Sequence, residues 1–162
     1  MLLITQEIIA INYSQLMHVY EESIQLNGRK TYPRSSPVKQ VFFAEQDLYS
    51  YLRFALGSGC WLAVWVESGC YQSAVRLEPY KDGLLVTALE TARDVRNKGY
   101  AQALMNAVLQ NFSAVKIYAH IYADNKISIH LHEKLGFKQI KKTAEFLDGT
   151  VTSDAYTFMI DR

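Results

Sequence analysis

The hexapeptide Arg96-Asn97-Lys98-Gly99-Tyr100-Ala101 has the residue types to hold an anion. Helical periodicity starts at its end, where Ala101, Leu104, Met105, Val108, Leu109 and Phe112 recur at three- and four-residue spacing as one apolar stripe. A helix N-terminus leaves backbone N–H groups without intrahelical partners, and its dipole attracts negative charge, which suits a phosphate. Gly99 lets the backbone approach a ligand, Ala101 keeps the first turn clear of bulk, and Arg96 and Lys98 add positive charge. An ordinary basic turn before a surface helix has the same letters, so the context matters. Just upstream, Leu84-Leu85-Val86-Thr87-Ala88-Leu89 is the apolar run of a strand buried on both faces, closed by the carboxylate of Glu90.

A second group lies further along. Asn125, Ser128 and His132 stand at i, i+3 and i+7 and share one helix stripe, with Ile127, Leu131 and Leu135 beside them as an apolar stripe. A polar seam along a buried face is what a site needs, although a row at a solvent-facing helix edge has the same spacing. His130 points away from His132, so the pair cannot chelate, and Cys60, Cys70 and His120 lack zinc spacing. No metal is expected. A phosphate-loop lysine is excluded because Tyr100 follows Gly99. Gly57-Ser58-Gly59 fails as a dinucleotide fingerprint because Leu62 replaces the third glycine.

Arg96-x-x-Gly99-x-Ala101 after an apolar strand resembles the acyl-CoA pyrophosphate motif Q/R-x-x-G-x-G/A of the GNAT superfamily of N-acyltransferases. The segment Asn125 to Phe137 is similar to the family's N-x-x-A-x-x-L-Y-E-K-x-G-F block, and the resemblance runs from about Trp61 to Met159. It implies an α/β fold whose central sheet is mixed and mostly antiparallel, with about seven strands and about four flanking helices. Two parallel strands, Leu84 to Thr91 and Val115 to Tyr122, would splay to admit the pantetheine of acetyl-CoA. Leu89, Glu90 and Thr91 would offer it backbone groups, the turn from Arg96 through Asn97, Lys98, Gly99 and Tyr100 to Ala101 would take the pyrophosphate, and Asn125, Ser128 and His132 would border the donor.

The family's Tyr, which protonates the leaving sulfur, is replaced here by His132. Histidine titrates at about 6.5 where tyrosine titrates at about 10. Imidazolium is the stronger acid but is scarce at neutral pH, and burial makes it scarcer, so a neutral N–H donated to the sulfur is the other role open to His132. Glu90, beside the thioester, would serve as general base or bind a cationic acceptor, unless it caps the strand and pairs with Arg93 or Arg96. Glu67, Glu78 and Tyr156 are further candidates, and Trp61, Trp65, Tyr71 and Tyr80 are candidates for an acceptor pocket. The implied activity is transfer of acetyl from acetyl-CoA to a primary amine of a small molecule, by direct attack in a ternary complex. A non-catalytic acyl-CoA-binding or regulatory module and a protein or peptide N-acetyltransferase are the alternatives.

A chain of 162 residues, 49% hydrophobic, is expected to form one domain over residues 1–162. A net charge of +1 gives no bias toward nucleic acid or membrane, and the basic patch of Arg93, Arg96 and Lys98 suits a polyphosphate. Met1 to Ile8 lacks a basic leader and is interrupted by polar residues, so a cytoplasmic protein with reduced Cys60 and Cys70 is expected, as a monomer or homodimer. The expected elements are a strand over 2–11, a helix over 13–27 stopped by Gly28, a loop over 27–37 and a helix over 42–56. Strands over 61–67, 71–78 and 84–90 follow, then the helix after Gly99. A strand over 115–122 with one core face, a helix over 125–135 and strands over 137–143 and 155–160 complete the chain.

Overall fold

Alternation along two central strands, Trp61–Glu67 (β2) and Cys70–Tyr80 (β3), sorts the helices into two layers. Ala63, Val75 and Leu77 face one apolar cluster, whereas Leu62, Val64 and Ala74 face another. The computed structural model describes residues 1–161. Its other strands are Leu2–Thr5 (β1), Gly83–Thr91 (β4), Lys116–Tyr122 (β5), Lys138–Lys141 (β6), Ala144–Glu145 (β7), Val151–Thr152 (β8) and Ala155–Ile160 (β9). Seven of them form one sheet in the order β1-β2-β3-β4-β5-β9-β6, and β7 and β8 make a separate hairpin. Only β4 and β5 are parallel, so the sheet is mixed and mostly antiparallel.

The first face carries Tyr100–Asn111 (α4) and Lys126–Lys134 (α5), and the second carries Tyr13–Val19 (α1), Glu21–Thr31 (α2) and Pro37–Gly57 (α3). The α4 stripe is as its periodicity requires, with Leu104, Met105, Val108 and Leu109 fully buried. The α-helices number five where about four were expected, because the pattern over 13–27 breaks at Tyr20 (φ −94°, ψ 14°). Tyr20 itself is buried between the two pieces.

Gly28 does not stop the helix. It lies inside α2, where a Cβ would stand 2.5 Å from the Gln40 carbonyl oxygen, so the missing side chain lets α2 and α3 touch. The loop shrinks to residues 32–36, and α3 starts at Pro37, whose fixed φ and absent N–H suit a first helical position. Past Thr5 the first strand gives way to a 3₁₀ turn, Ile8–Ala10. The strand β5 is covered on both faces rather than one, since Tyr118 is buried against Tyr80 and Leu85. On α5, Leu135 is buried but Ile127 is 86% exposed, so the apolar stripe starts later than its spacing indicated.

Gly83 opens the parallel pair opposite Lys116, and a Cβ there would lie 2.1 Å from the Lys116 carbonyl oxygen. Backbone cannot yield as a side chain can. Gly83→Ala is expected to cost about 1–3 kcal/mol of stability, read from the urea midpoint. An unmoved midpoint would show that the pair opens there without cost.

Candidate active site

The strands β4 and β5 pair only from Gly83 to Val86 against Lys116 to Ala119. Both run on, to Thr91 and Tyr122, without further pairing, so a slot opens between them. On its other side β4 carries one extra residue against β3, as the register passes from Arg76 opposite Thr87 to Ala74 opposite Glu90. Ala88 absorbs this bulge with φ 48°. The Tyr20 hydroxyl donates to the Ala88 carbonyl at 3.0 Å and holds the bulge from the helical side.

Ala88 and Leu89 have no register partner on either neighbouring strand, and the Ala88 carbonyl is already taken by Tyr20. The next two carbonyls are already engaged: Ser73 Oγ donates to that of Glu90 at 2.6 Å, and Arg96 Nε donates to that of Thr91 at 3.3 Å.

After β4, a short 3₁₀ turn over Arg93–Val95 leads into the basic hexapeptide. Asn97 (φ 62°) and Gly99 (φ 84°) are left-handed, a conformation that asparagine and glycine adopt most readily. The first intrahelical bond runs from Ala103 N–H to the Gly99 carbonyl at 2.9 Å, so the N–H groups of Tyr100, Ala101 and Gln102 are uncommitted. A Cβ on Gly99 would meet nothing within 4 Å, so backbone conformation rather than crowding is what requires glycine there. Lys98 is exposed, and Tyr100 and Ala101 are half-buried. Arg96 is tied across to α2, with Nη2 at 2.6 Å from Glu22 Oε2, and Arg93 Nε stands 3.6 Å from the other Glu22 oxygen.

A cavity of about 360 Å³ opens on the α2–α3 face, lined by Tyr20, Ser23, Tyr51, Arg76 and Glu90 among others. The Glu90 carboxylate accepts a hydrogen bond from Ser23 Oγ. It forms neither of the ion pairs open to it, because Arg93 and Arg96 are both taken by Glu22. Burial holds the Glu90 pKa above the usual carboxylate value, against the opposing pull of Ser23 and the Arg96 and Arg76 charges. Glu78, which is buried and does not line the cavity, accepts from Tyr51 Oη and Thr87 Oγ1 at 2.8 Å each.

None of Trp61, Trp65, Tyr71 or Tyr80 lines this cavity. Trp61 packs edge-on to Phe112 in the α4 layer, Tyr71 Oη accepts the Asn12 N–H, and Tyr80 meets Tyr118 and His120. Glu67 and Tyr156 are likewise elsewhere. The lining aromatics, Tyr20 and Tyr51, come from the helical layer instead. Sequence reasoning missed Arg76, yet Arg76 and Glu78 alternating with Val75 and Leu77 in a central strand were a visible signal. Ser23 gave none.

The proposed polar seam on α5 divides. Asn125 precedes the helix as its N-cap, its Oδ1 accepting the Ser128 N–H at 3.1 Å. Ser128 and His132 do come together, Ser128 Oγ lying 3.4 Å from His132 Nδ1. His132 is 2% exposed, with its ring edge-on to Phe137. Its Nδ1 stands 2.8 Å from the Ser128 carbonyl, which can only accept, so Nδ1 carries the hydrogen of the neutral ring. Nε2 is then a bare acceptor, buried and without a partner among the described residues.

Burial also pushes the His132 pKa below its ordinary value, against the Ser128 hydrogen bond. A neutral N–H offered from Nε2 is therefore ruled out by the tautomer, and proton donation from that atom requires imidazolium. Glu90 faces the α2–α3 layer, whereas His132 packs in the α4–α5 layer. The sheet lies between these two layers. Among the described residues, no cluster of three or more His, Cys, Asp or Glu side chains is placed to hold a metal, and no helix is long and apolar enough to cross a membrane.

The model of the acetyltransferase (GNAT) family matches residues 25–137. No curated protein matches the chain. Among solved structures it is similar to the PaiA N-acetyltransferase of Thermoplasma acidophilum in complex with coenzyme A, at 10% identity and TM-score 0.65, covering 100% of this chain and 99% of that one. A ribosomal-protein-alanine N-acetyltransferase from Brucella melitensis gives 16% identity and TM-score 0.68, with 99% of each chain covered. An aminoglycoside 6'-acetyltransferase type Ii gives 13% and 0.64, over 98% of this chain and 96% of that one. At such identities the likeness is one of fold, and the relatives' names span different acceptors. Because the family model takes in well over half of the sequence, the chain belongs to the GNAT acetyltransferase family.

Proposed function

We propose that this protein transfers the acetyl group of acetyl-CoA to a primary amine of a small molecule. The observation that carries this is the convergence, at the last residues of β4, of the open slot, the uncommitted N–H groups of the α4 terminus and the cavity holding Glu90. Acetyl-CoA supplies the activated thioester. The N–H groups from Tyr100 to Gln102, with the turn of Arg96, Asn97, Lys98 and Gly99, hold its pyrophosphate. Leu89, flanked by Glu90 and Thr91, offers backbone hydrogen bonds to the pantetheine.

An alkyl amine with a pKa of about 10.4 is a cation at neutral pH and must lose a proton before it attacks. Glu90, made more basic by burial, takes that proton. The amine nitrogen then bonds to the thioester carbon, the C–S bond breaks, and the extra proton left on the nitrogen is lost to solvent. The departing thiolate needs a proton, and His132 as imidazolium delivers it from the opposite face of the sheet. A cavity of about 360 Å³ favours a small acceptor over a peptide.

The test is release of free thiol from acetyl-CoA against a panel of amino acids, polyamines, aminoglycosides and peptides. Stimulation by a small primary amine, with its acetylated product seen by mass spectrometry, is the expected result. Binding of acetyl-CoA with no stimulation by any acceptor would make the protein a non-catalytic acyl-CoA module. Gly99→Val forces a β-branched residue into left-handed backbone and is expected to weaken acetyl-CoA about ten-fold, measured calorimetrically. Unchanged affinity would count against the turn as the pyrophosphate site.

A further inference from the structure

Arg76 lines the cavity and is only loosely paired with one carboxylate. Its side chain is only 18% exposed, its guanidinium carbon lies 4.7 Å from the centre of the Tyr51 ring, and its Nε is buried without a hydrogen-bond partner among the described residues. The nearest carboxylate, Glu78, approaches no closer than 3.5 Å, through the same Oε1 that already accepts from Tyr51 and Thr87. A guanidinium N–H held out of water without a hydrogen bond is costly, and a planar oxyanion is the group the fork matches best. Arg76 lines the same cavity as Glu90, whose own hydrogen-bond donor is the Ser23 hydroxyl.

From this we infer that the acceptor is a zwitterion of amino-acid size, its amine at Glu90 and its carboxylate on Arg76. The inference rests on the acetyl-transfer function proposed above and narrows its substrate class. Asp47, also on the cavity wall, accepts from the Tyr32 hydroxyl at 2.6 Å. Two carboxylates alone would suit a diamine. With Arg76 present, a second ammonium meets a fixed like charge, whereas a carboxylate meets its complement. The cavity volume, about 360 Å³, fits a single small molecule.

The experiment compares kcat/KM for L-amino acids with their decarboxylated amines, with spermidine as a third arm, in wild type and Arg76→Gln. At least one amino acid should exceed its decarboxylated counterpart by about 100-fold or more, because loss of the anion leaves the guanidinium unpaired. Arg76→Gln should bring that ratio below about ten-fold while acetyl-CoA affinity is retained. If the glutamine variant does not fold, Arg76→Lys, which keeps the charge but loses the fork, should still lower the ratio.

Equal or better use of the decarboxylated amines or spermidine would overturn the zwitterion and leave acetyl transfer standing. An amino-acid preference that survives in both Arg76 variants would overturn it too. Should no amine be acetylated, thermal-shift titration with the amino acids decides. Stabilisation lost in Arg76→Gln supports the anion site although transfer has failed, and its absence in wild type rejects both.

Discussion

Glu90→Gln is expected to lower kcat by about 100-fold or more while acetyl-CoA still binds. Glutamine keeps the shape and can still accept from Ser23, but it cannot take a proton from an ammonium. The carboxylate's elevated pKa arises first from burial, so as pH falls through that raised value the base is lost and wild-type kcat/KM falls with it. The glutamine variant should lack this acid limb.

Stability provides an internal control. A carboxyl whose folded pKa is raised binds its proton more tightly when folded, so its ionisation at neutral pH works against the fold. Glu90→Gln should therefore hold or raise the Tm at pH 7, separating lost chemistry from lost structure. A variant with the wild-type rate and profile would remove Glu90 as the base.

The second large effect is expected for His132→Phe, which preserves a buried ring beside Phe137 but removes the proton carrier. General-acid loss predicts a fall in kcat of about 100-fold. Because burial holds the His132 pKa below 6.5, the competent imidazolium fraction shrinks as pH rises, and wild type should show a falling alkaline limb that the variant lacks.

A separate stability readout follows from the same shift. The unfolded chain, with histidine at about 6.5, binds more protons than the folded one below that value. The stability His132 contributes is thus present above about 6.5 and lost as pH falls toward its folded pKa, a loss that His132→Phe should reduce in thermal melts between about pH 7 and 5. Unaltered rate and pH profile in the variant would take His132 out of the mechanism, whatever the melts show.

Much of this was legible in the sequence where one face of an element is apolar. The α4 stripe from Leu104 to Leu109 follows from its period, and β4 from its nearly unbroken apolar run. The basic turn was legible as chemistry because Arg96 and Lys98 bring charge to a helix start where Gly99 lets the backbone approach a ligand, whereas the left-handed backbone of Asn97 and Gly99 emerges only in the structure. Around the acceptor cavity the sequence says less. Tyr20 keeps a helical pattern on both sides of itself, so the break between α1 and α2 arises from tertiary packing onto the Ala88 bulge.

Gly28 reads as a helix stop but serves close helix contact, which only the Gln40 carbonyl of α3 explains. The tautomer of His132 could not be foreseen either, because it depends on where one turn of α5 aims the Ser128 carbonyl. Likewise, that Arg96 is held by Glu22, far off in sequence, is invisible to any local motif.

The central claim is that the donor lies in the β4–β5 slot with its pyrophosphate on the α4 terminus. A crystal structure of the acetyl-CoA complex tests it most directly. The pyrophosphate is expected within hydrogen-bonding distance of the N–H groups from Gly99 to Gln102, and the pantetheine beyond the last strand pair, Val86 with Ala119, with its thioester facing the Glu90 cavity. Acetyl-CoA bound elsewhere, with the slot empty and those N–H groups untouched, would contradict the account.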